Sequence, residues 1–193
     1  MHILWDFDGT LFDTYPVYTE IMYEVMEERV SKEEILNHLK LSFSHTIKHF
    51  SLREQQLNRI FTKERDLHPS HMKPFPFVEA ILKLAEVNVI MTHKPRIEVL
   101  PILEYYGWMH YFAEIVAGGD GYPSKPNPES YKYLHDKYKL DLVIGDREID
   151  ILPGRHFGIR TCLFQNHTPG ADLYVNDYEE LYSQLISEGG GRV

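Results

Sequence analysis

Five short apolar runs, each closing on a turn, restrict this chain's fold more than any other feature. Ile3-Leu4-Trp5-Asp6-Phe7 leads into Asp8, Gly9 and Thr10, and Val87 to Met91 leads into Thr92. Glu114 to Ala117 precedes Gly118-Gly119, Asp141 to Ile144 precedes Gly145-Asp146, and Ile159 to Phe164 is the fifth run. Runs of this length read as buried strands. From residue 76 onward they alternate with helical patterns. Phe77, Ala80, Ile81 and Leu84 share one helical face, as do Tyr131, Leu134 and Tyr138, with Asn127 as cap and Pro128 as first helical residue. Ile97, Leu100, Leu103 and Tyr106 predict another helix stopped near Gly107, in which Pro101 implies a kink or a late start. The alternation predicts an α/β fold, a mostly parallel sheet with helices on both faces.

Residues 15–73 break the alternation. Val17, Ile21, Met22, Val25 and Met26 form an amphipathic helical stripe. Ser31-Lys32-Glu33-Glu34 reads as a capping box ahead of Ile35, Leu36 and Leu39, and Ser51-Leu52-Arg53-Glu54 as a second ahead of Leu57, Ile60 and Phe61. The expected organisation is a core of residues 1–14 and 74–193 with a helical insert at 15–73, and Pro74 and Pro76 mark the return. The Gly-rich end, Glu188 to Val193, is expected to be disordered.

Charge narrows the partners. The formal net charge is -9, which argues against nucleic acid or an anionic membrane as partner, since a phosphate backbone needs clustered Lys and Arg. A small phosphorylated substrate remains compatible, because a metal ion can invert the local field. The lone Cys162 lies in an apolar run and reads as a buried strand thiol, in keeping with a reducing compartment. The start, MHILWDFDGT, lacks the features of a signal peptide, and no apolar run reaches the roughly 20 residues of a membrane span. The expectation is a soluble cytoplasmic protein, a monomer or small homo-oligomer.

Four carboxylates fall just beyond two of the strands: Asp6 and Asp8 after the first, Asp146 and Asp150 after the fourth. Ligand sites in open parallel sheets lie beyond the carboxyl ends of strands, so these acids can converge. Packed carboxylates repel one another, and a divalent cation removes the repulsion; oxygen ligands with bound water suit Mg²⁺. If the strand runs straight, Asp6 and Asp8 face the cleft while Phe7 faces the core. One acid can then attack phosphorus and the other can shuttle a proton. Gly9 allows the sharp turn that follows. The Thr92 hydroxyl and nearby N–H groups can hold phosphate oxygens, and Lys125, in Ser124-Lys125-Pro126-Asn127-Pro128, can neutralise the transferred group.

The string Asp6-Phe7-Asp8-Gly9-Thr10-Leu11-Phe12-Asp13-Thr14 resembles the first motif of the haloacid dehalogenase superfamily. Thr92 is similar to its second, Lys125 in KPNPE to its third, and Gly145-Asp146-Arg147-Glu148-Ile149-Asp150 to its fourth. The resemblance implies a Rossmann-like core with a small helical cap, as in the subgroup of phosphoglycolate phosphatases and β-phosphoglucomutase. It implies Asp6 as nucleophile and metal ligand, and Asp8 as general acid/base that offers its backbone carbonyl to Mg²⁺. It implies Asp146 as metal ligand, Asp150 as support, and Thr92 and Lys125 as phosphoryl binders. His93 departs from the pattern, which usually has Asn or a small residue there. The function implied is Mg²⁺-dependent hydrolysis of a small phosphomonoester through an aspartyl-phosphate. The alternatives are a phosphomutase, or a silent binding module on the same fold. Eleven histidines complete the chain; of those in the insert, His38, His45, His49, His68 and His71, most read as surface residues and their spacing suggests no metal cage, with the alternative that His45 and His49 face the active site from the insert.

Overall fold

The computed structural model describes residues 1–189 of the 193. In chain order it contains β1 (His2–Trp5), β2 (Phe12–Asp13), α1 (Tyr15–Val25), α2 (Lys32–Leu41), α3 (Phe43–His49) and α4 (Glu54–Arg65). There follow β3 (Lys73–Pro74), α5 (Val78–Leu84), β4 (Val87–Pro95), α6 (Arg96–Tyr105), β5 (Phe112–Gly118) and α7 (Glu129–Tyr138). The chain closes with β6 (Leu142–Gly145), α8 (Glu148–His156), β7 (Arg160–Phe164), β8 (Leu173–Val175) and α9 (Tyr178–Gly189). It divides into two compact units, one of Met1–Phe12 with the chain from Pro74 onward, the other of Asp13–Lys73.

In the first unit six strands form a parallel sheet in the order β5-β4-β1-β6-β7-β8, the Rossmann-like α/β arrangement. β1 is central, with Trp5 opposite Ile90 of β4 and Ile144 of β6. The side-chain period of two sends Leu4 into a buried cluster with Val89, Met91, Val116, Val143, Tyr131 and Leu134. Ile3 and Trp5, of opposite parity, are equally buried, and Trp5 Nε1 donates to Asn88 Oδ1 at 2.8 Å. After β1 the chain goes on to β4, and after β6 it goes to β7, on opposite sides of the β1–β6 pair. A crevice opens where connections diverge in this way, and Asp6 and Asp146 sit there. The Phe75 N–H donates to Leu11 O at 3.1 Å, closing the core where the chain leaves and re-enters it.

The second unit has its own core, in which Ile21, Met22 and Val25 of α1 pack with Ile35 and Leu39 of α2 and Ile60 of α4. Ser31 caps α2 as its motif predicts, accepting the Glu34 N–H at 3.2 Å. Ser51 does not cap α4. Its φ of 50° places it in the turn that closes α3, and the helix starts two residues later with Arg53 as cap.

Other local expectations shift. α6 starts at Arg96 and runs through Pro101 without a late start; it buries Val99, Ile102 and Leu103 and leaves Ile97 79 % exposed. Pro101 is itself exposed, so the carbonyl it cannot serve lies on the solvated side. α5 buries Val78, Ile81 and Leu82, while Phe77, a left-handed cap residue, and Leu84, at the end of the helix, stay exposed. At α7, Pro128 is the cap rather than the first helical residue, and Asn127 Oδ1 accepts the Glu129 N–H at 3.0 Å. Glu188 and Gly189 are ordered in α9, where the Glu188 carboxylate grips both terminal nitrogens of Arg160; residues 190–193 of the expected disordered end lie outside the described residues. Among the described residues no helix is long and apolar enough to cross a membrane.

Candidate active site

The first acid stands at the end of the central strand. The Asp6 N–H donates to Ile144 O at 3.0 Å, which ties the first residue beyond β1 to β6. The chain then turns. Phe7 O accepts N–H bonds from Leu11 and Phe12 at 3.0 and 3.1 Å, and Gly9 takes a φ of 76°, which glycine adopts without strain. β1 therefore ends at Trp5, and Asp6 and Asp8 belong to this turn instead of a straight strand. Phe7 still faces the core, fully buried against Phe12.

Asp6 is 1 % exposed and holds a buried ion pair with Lys125, whose Nζ lies 2.6 Å from Oδ1. The same ammonium is 2.6 Å from Asp150 Oδ1 and donates to Met91 O at 3.2 Å. One cation thus bridges the loop after β5, the middle of β4 and two acids, one just beyond β1 and one on α8. Burial, then the charge of Asp150, raise the Asp6 carboxyl to about 6 against the pull of Lys125 and Arg147. Burial also opposes ionisation of Asp150, but Lys125 and Arg147 outweigh it and hold that carboxyl low. For Lys125, burial would lower the ammonium, and Asp150 and Asp6 together raise it.

Asp146 completes an acidic group. Asp6, Asp146 and Asp150 each present a carboxylate oxygen within 4.8 Å of the others. Thr10 Oγ1 donates to Asp146 Oδ1 at 3.3 Å, and Asn166 Nδ2 to Asp146 O at 2.8 Å. Gly145 makes room for this geometry: a Cβ there would stand 2.3 Å from Asp150 Cβ. The Asp150 carboxylate accepts the Arg147 N–H at 3.0 Å, and its backbone carbonyl accepts the Tyr131 hydroxyl at 2.8 Å.

The donor set fits a hard divalent cation. Asp6 Oδ2 is buried and takes no hydrogen bond among the described residues; the Arg147 guanidinium faces it at 3.8 Å, beyond bonding distance, so the oxygen keeps a position for a bound cation. Three clustered carboxylates, one of them pushed up by its neighbours, have the same need. Asp8 is not part of the cluster through its side chain. Its Oδ1 stands 3.7 Å from Lys94 Nζ, and Lys94 also meets Glu98 at 3.2 Å.

Thr92 is buried in β4 beside Met91, and its Oγ1 accepts the Lys94 N–H at 3.1 Å, leaving its own hydrogen to donate. His93 has a structural partner: its Nε2 accepts the Lys125 N–H at 2.7 Å. Desolvation of that side of the ring, then Lys125 and Arg147, lower the imidazole to about 4, so it stays a neutral acceptor although the ring keeps an exposed edge.

Two cations escaped the sequence reading. Arg147 turns its guanidinium toward all three acids, at 3.8 Å from Asp6, 3.9 Å from Asp146 and 3.6 Å from Asp150. Lys94 is 3 % exposed beside Asp8. Their one sequence signal is proximity to the second and fourth motifs.

The chain is similar to several known proteins. The family model described as haloacid dehalogenase-like hydrolase matches residues 3–164. A phosphoglycolate phosphatase of Vibrio parahaemolyticus is 27% identical over 182 residues, covering 81% of this chain and 79% of its own. The pyrophosphatase PpaX of Halalkalibacterium halodurans is 26% identical, covering 93% of this chain and 90% of its own. A crystal structure of a hydrolase from Streptococcus pneumoniae superposes with a TM-score of 0.67 at 29% identity, covering 96% of this chain and 97% of that one.

Proposed function

We infer the activity from one premise: the chain belongs to the haloacid dehalogenase-like hydrolase family. Within it, the protein is a phosphatase acting on a small phosphomonoester through an aspartyl-phosphate. The observation that carries this reading is the Asp6 carboxylate, sealed from water, with one oxygen on Lys125 and the other without a hydrogen bond.

Asp6 attacks phosphorus with a carboxylate oxygen; the new P–O bond forms as the bond to the substrate oxygen breaks. Asp8 gives its proton to the departing alkoxide. As a carboxylate it then takes a proton from water, and the water oxygen attacks phosphorus, freeing Asp6 and inorganic phosphate. Lys94 positions Asp8 between these two duties. Lys125 and the Thr92 hydroxyl hold the phosphoryl oxygens, where fixed positive charge lowers the barrier most. His93 keeps Lys125 in place through its backbone, and Gly9 provides the turn that separates Asp6 from Asp8.

Mg²⁺ is the cofactor this donor set favours; Asp6, Asp146 and the backbone carbonyl of Asp8 would hold it, with Asp150 in support. When bound it supplies positive charge to the phosphoryl oxygens and relieves the repulsion among the acids. The relative named for phosphoglycolate makes a small phosphorylated acid the first substrate to try. The test is phosphate release from p-nitrophenyl phosphate and from phosphoglycolate with Mg²⁺. Asp6→Asn abolishes release with both; an unchanged rate in that variant overturns the assignment.

A further inference from the structure

The unit of residues 13–73 carries its own convergence of ligand-type side chains. His45 and His49 lie one turn apart on α3, so they project from the same side of the helix. His38 comes from the last turn of α2, and Glu34 stands one turn before it. Ser42 alone joins the two helices. Its Oγ accepts the His45 N–H at 2.9 Å to cap α3, and its N–H bonds His38 O at 3.3 Å to end α2. This corner folds the three imidazoles together. His38 Nδ1 is 3.1 Å from His45 Nε2, and the rings of His38 and His49 stack with centroids 3.6 Å apart. One nitrogen from each residue lies within 4.8 Å of the other two, and Glu34 Oε1 is 3.8 Å from His49 Nε2.

His38 and His49 also meet the Phe50 ring edge-on, with centroids 5.3 and 4.7 Å away. His45 and His49 are exposed, and the buried core of the unit is formed by other residues. Neutral imidazoles and one carboxylate are the ligand set of a borderline-soft divalent ion.

We propose that His38, His45 and His49, with Glu34 as fourth ligand, form a site for a divalent transition-metal ion of the Zn²⁺ type. At a Zn–N distance of about 2.0–2.1 Å, tetrahedral ligands stand roughly 3.4 Å apart, near the 3.1 Å of the His38–His45 pair. Rotation of the exposed His45, His49 and Glu34 side chains would close the remaining gap. Four protein ligands make a closed, structural site that clamps α2 to α3. The cage is hidden in the sequence because α3 is short and carries no motif of its own. The ligands come as two pairs, Glu34 with His38 and His45 with His49, and only the Ser42 corner unites them.

The test uses the full chain, freed of metal and held in excess Mg²⁺ so that the acidic group does not compete. Titration with Zn²⁺ shows one tight site per chain, and Co²⁺ in its place gives the visible absorption of a tetrahedral nitrogen-rich centre. His45→Ala with His49→Ala removes the Co²⁺ band and weakens Zn²⁺ by at least the roughly 10–100-fold that an outer partner alone is worth. Asp146→Asn leaves both readings as they were. Zn²⁺ raises the melting temperature of the natural chain and not that of the double variant. Zn²⁺ affinity and the Co²⁺ spectrum unchanged in the double variant, or no Zn²⁺ retained against Mg²⁺, overturn the proposal.

Discussion

Lys125 Nζ lies 2.6 Å from Asp6 Oδ1 and 2.6 Å from Asp150 Oδ1, so one buried ammonium serves two buried carboxylates. Removing it strands both charges. Lys125→Met is expected to lower stability by about 3–5 kcal/mol, the usual result of breaking a buried pair from one side. Urea denaturation with and without Mg²⁺ measures this, and part of the loss returns when Mg²⁺ takes over the neutralisation. Phosphate release does not return, because the cation that holds the phosphoryl group is gone.

His93 acts on Lys125 through a single acceptor atom. His93→Leu removes it and lowers kcat by roughly ten- to a hundredfold with KM less affected, since misplacing a group by about 1 Å has that effect. His93→Gln, which keeps an acceptor on a side chain of similar reach, recovers most of the rate. Because the imidazole is held down to about 4, the kcat profile between pH 6 and 8 has no step that vanishes in the glutamine variant.

Gly145 is fixed by lack of space. A methyl there would overlap Asp150 Cβ at 2.3 Å, and the Asp150 Cγ at 2.9 Å. Gly145→Ala is expected to cost about 1–3 kcal/mol and to weaken Mg²⁺ binding by displacing Asp150. Thermal denaturation and calorimetric Mg²⁺ titration read the two effects separately.

Asp120 provides a pH test outside the site. Its hydrogen bond from Arg96 at 2.6 Å, and then one from the Ala117 N–H at 2.9 Å, overcome partial burial and depress its carboxyl below 3.8. A depressed acid contributes stability above its unfolded value, and that stability is lost as pH falls through the folded one. The natural chain therefore loses more stability between pH 5 and pH 3 than Asp120→Ala does, read as urea midpoints at the two pH values.

Cys162 is buried in β7, and burial pushes its thiol up to about 12. The thiolate is the reactive form, so the folded protein at pH 8 resists thiol reagents that modify the same residue at once in guanidinium. Rapid labelling of the native chain contradicts the buried placement.

The strands and the acids were legible in the sequence for different reasons. A fully buried parallel strand needs an unbroken apolar run, so β1, β4, β5, β6 and β7 announce themselves, whereas Leu173-Tyr174-Val175 is too short to stand out. Ser31 was readable because a capping box is local. Ser51 misled because the same letters sit in a left-handed turn, which only the preceding helix dictates. At the site, Asp6, Asp146 and Lys125 meet as their positions beyond the strands suggest, since topology alone brings strand ends together. Arg147 and Lys94 were not legible. A charged residue in sequence looks like any solvated one, and its burial depends on side-chain direction in a turn.

The hydrogen bond from Phe75 to Leu11 has an evolutionary meaning. It stitches the sheet shut at the very point where 61 residues, 13–73, leave and come back. Whatever hangs from that stitch can be lengthened, trimmed or replaced over generations without rethreading a single strand of the sheet.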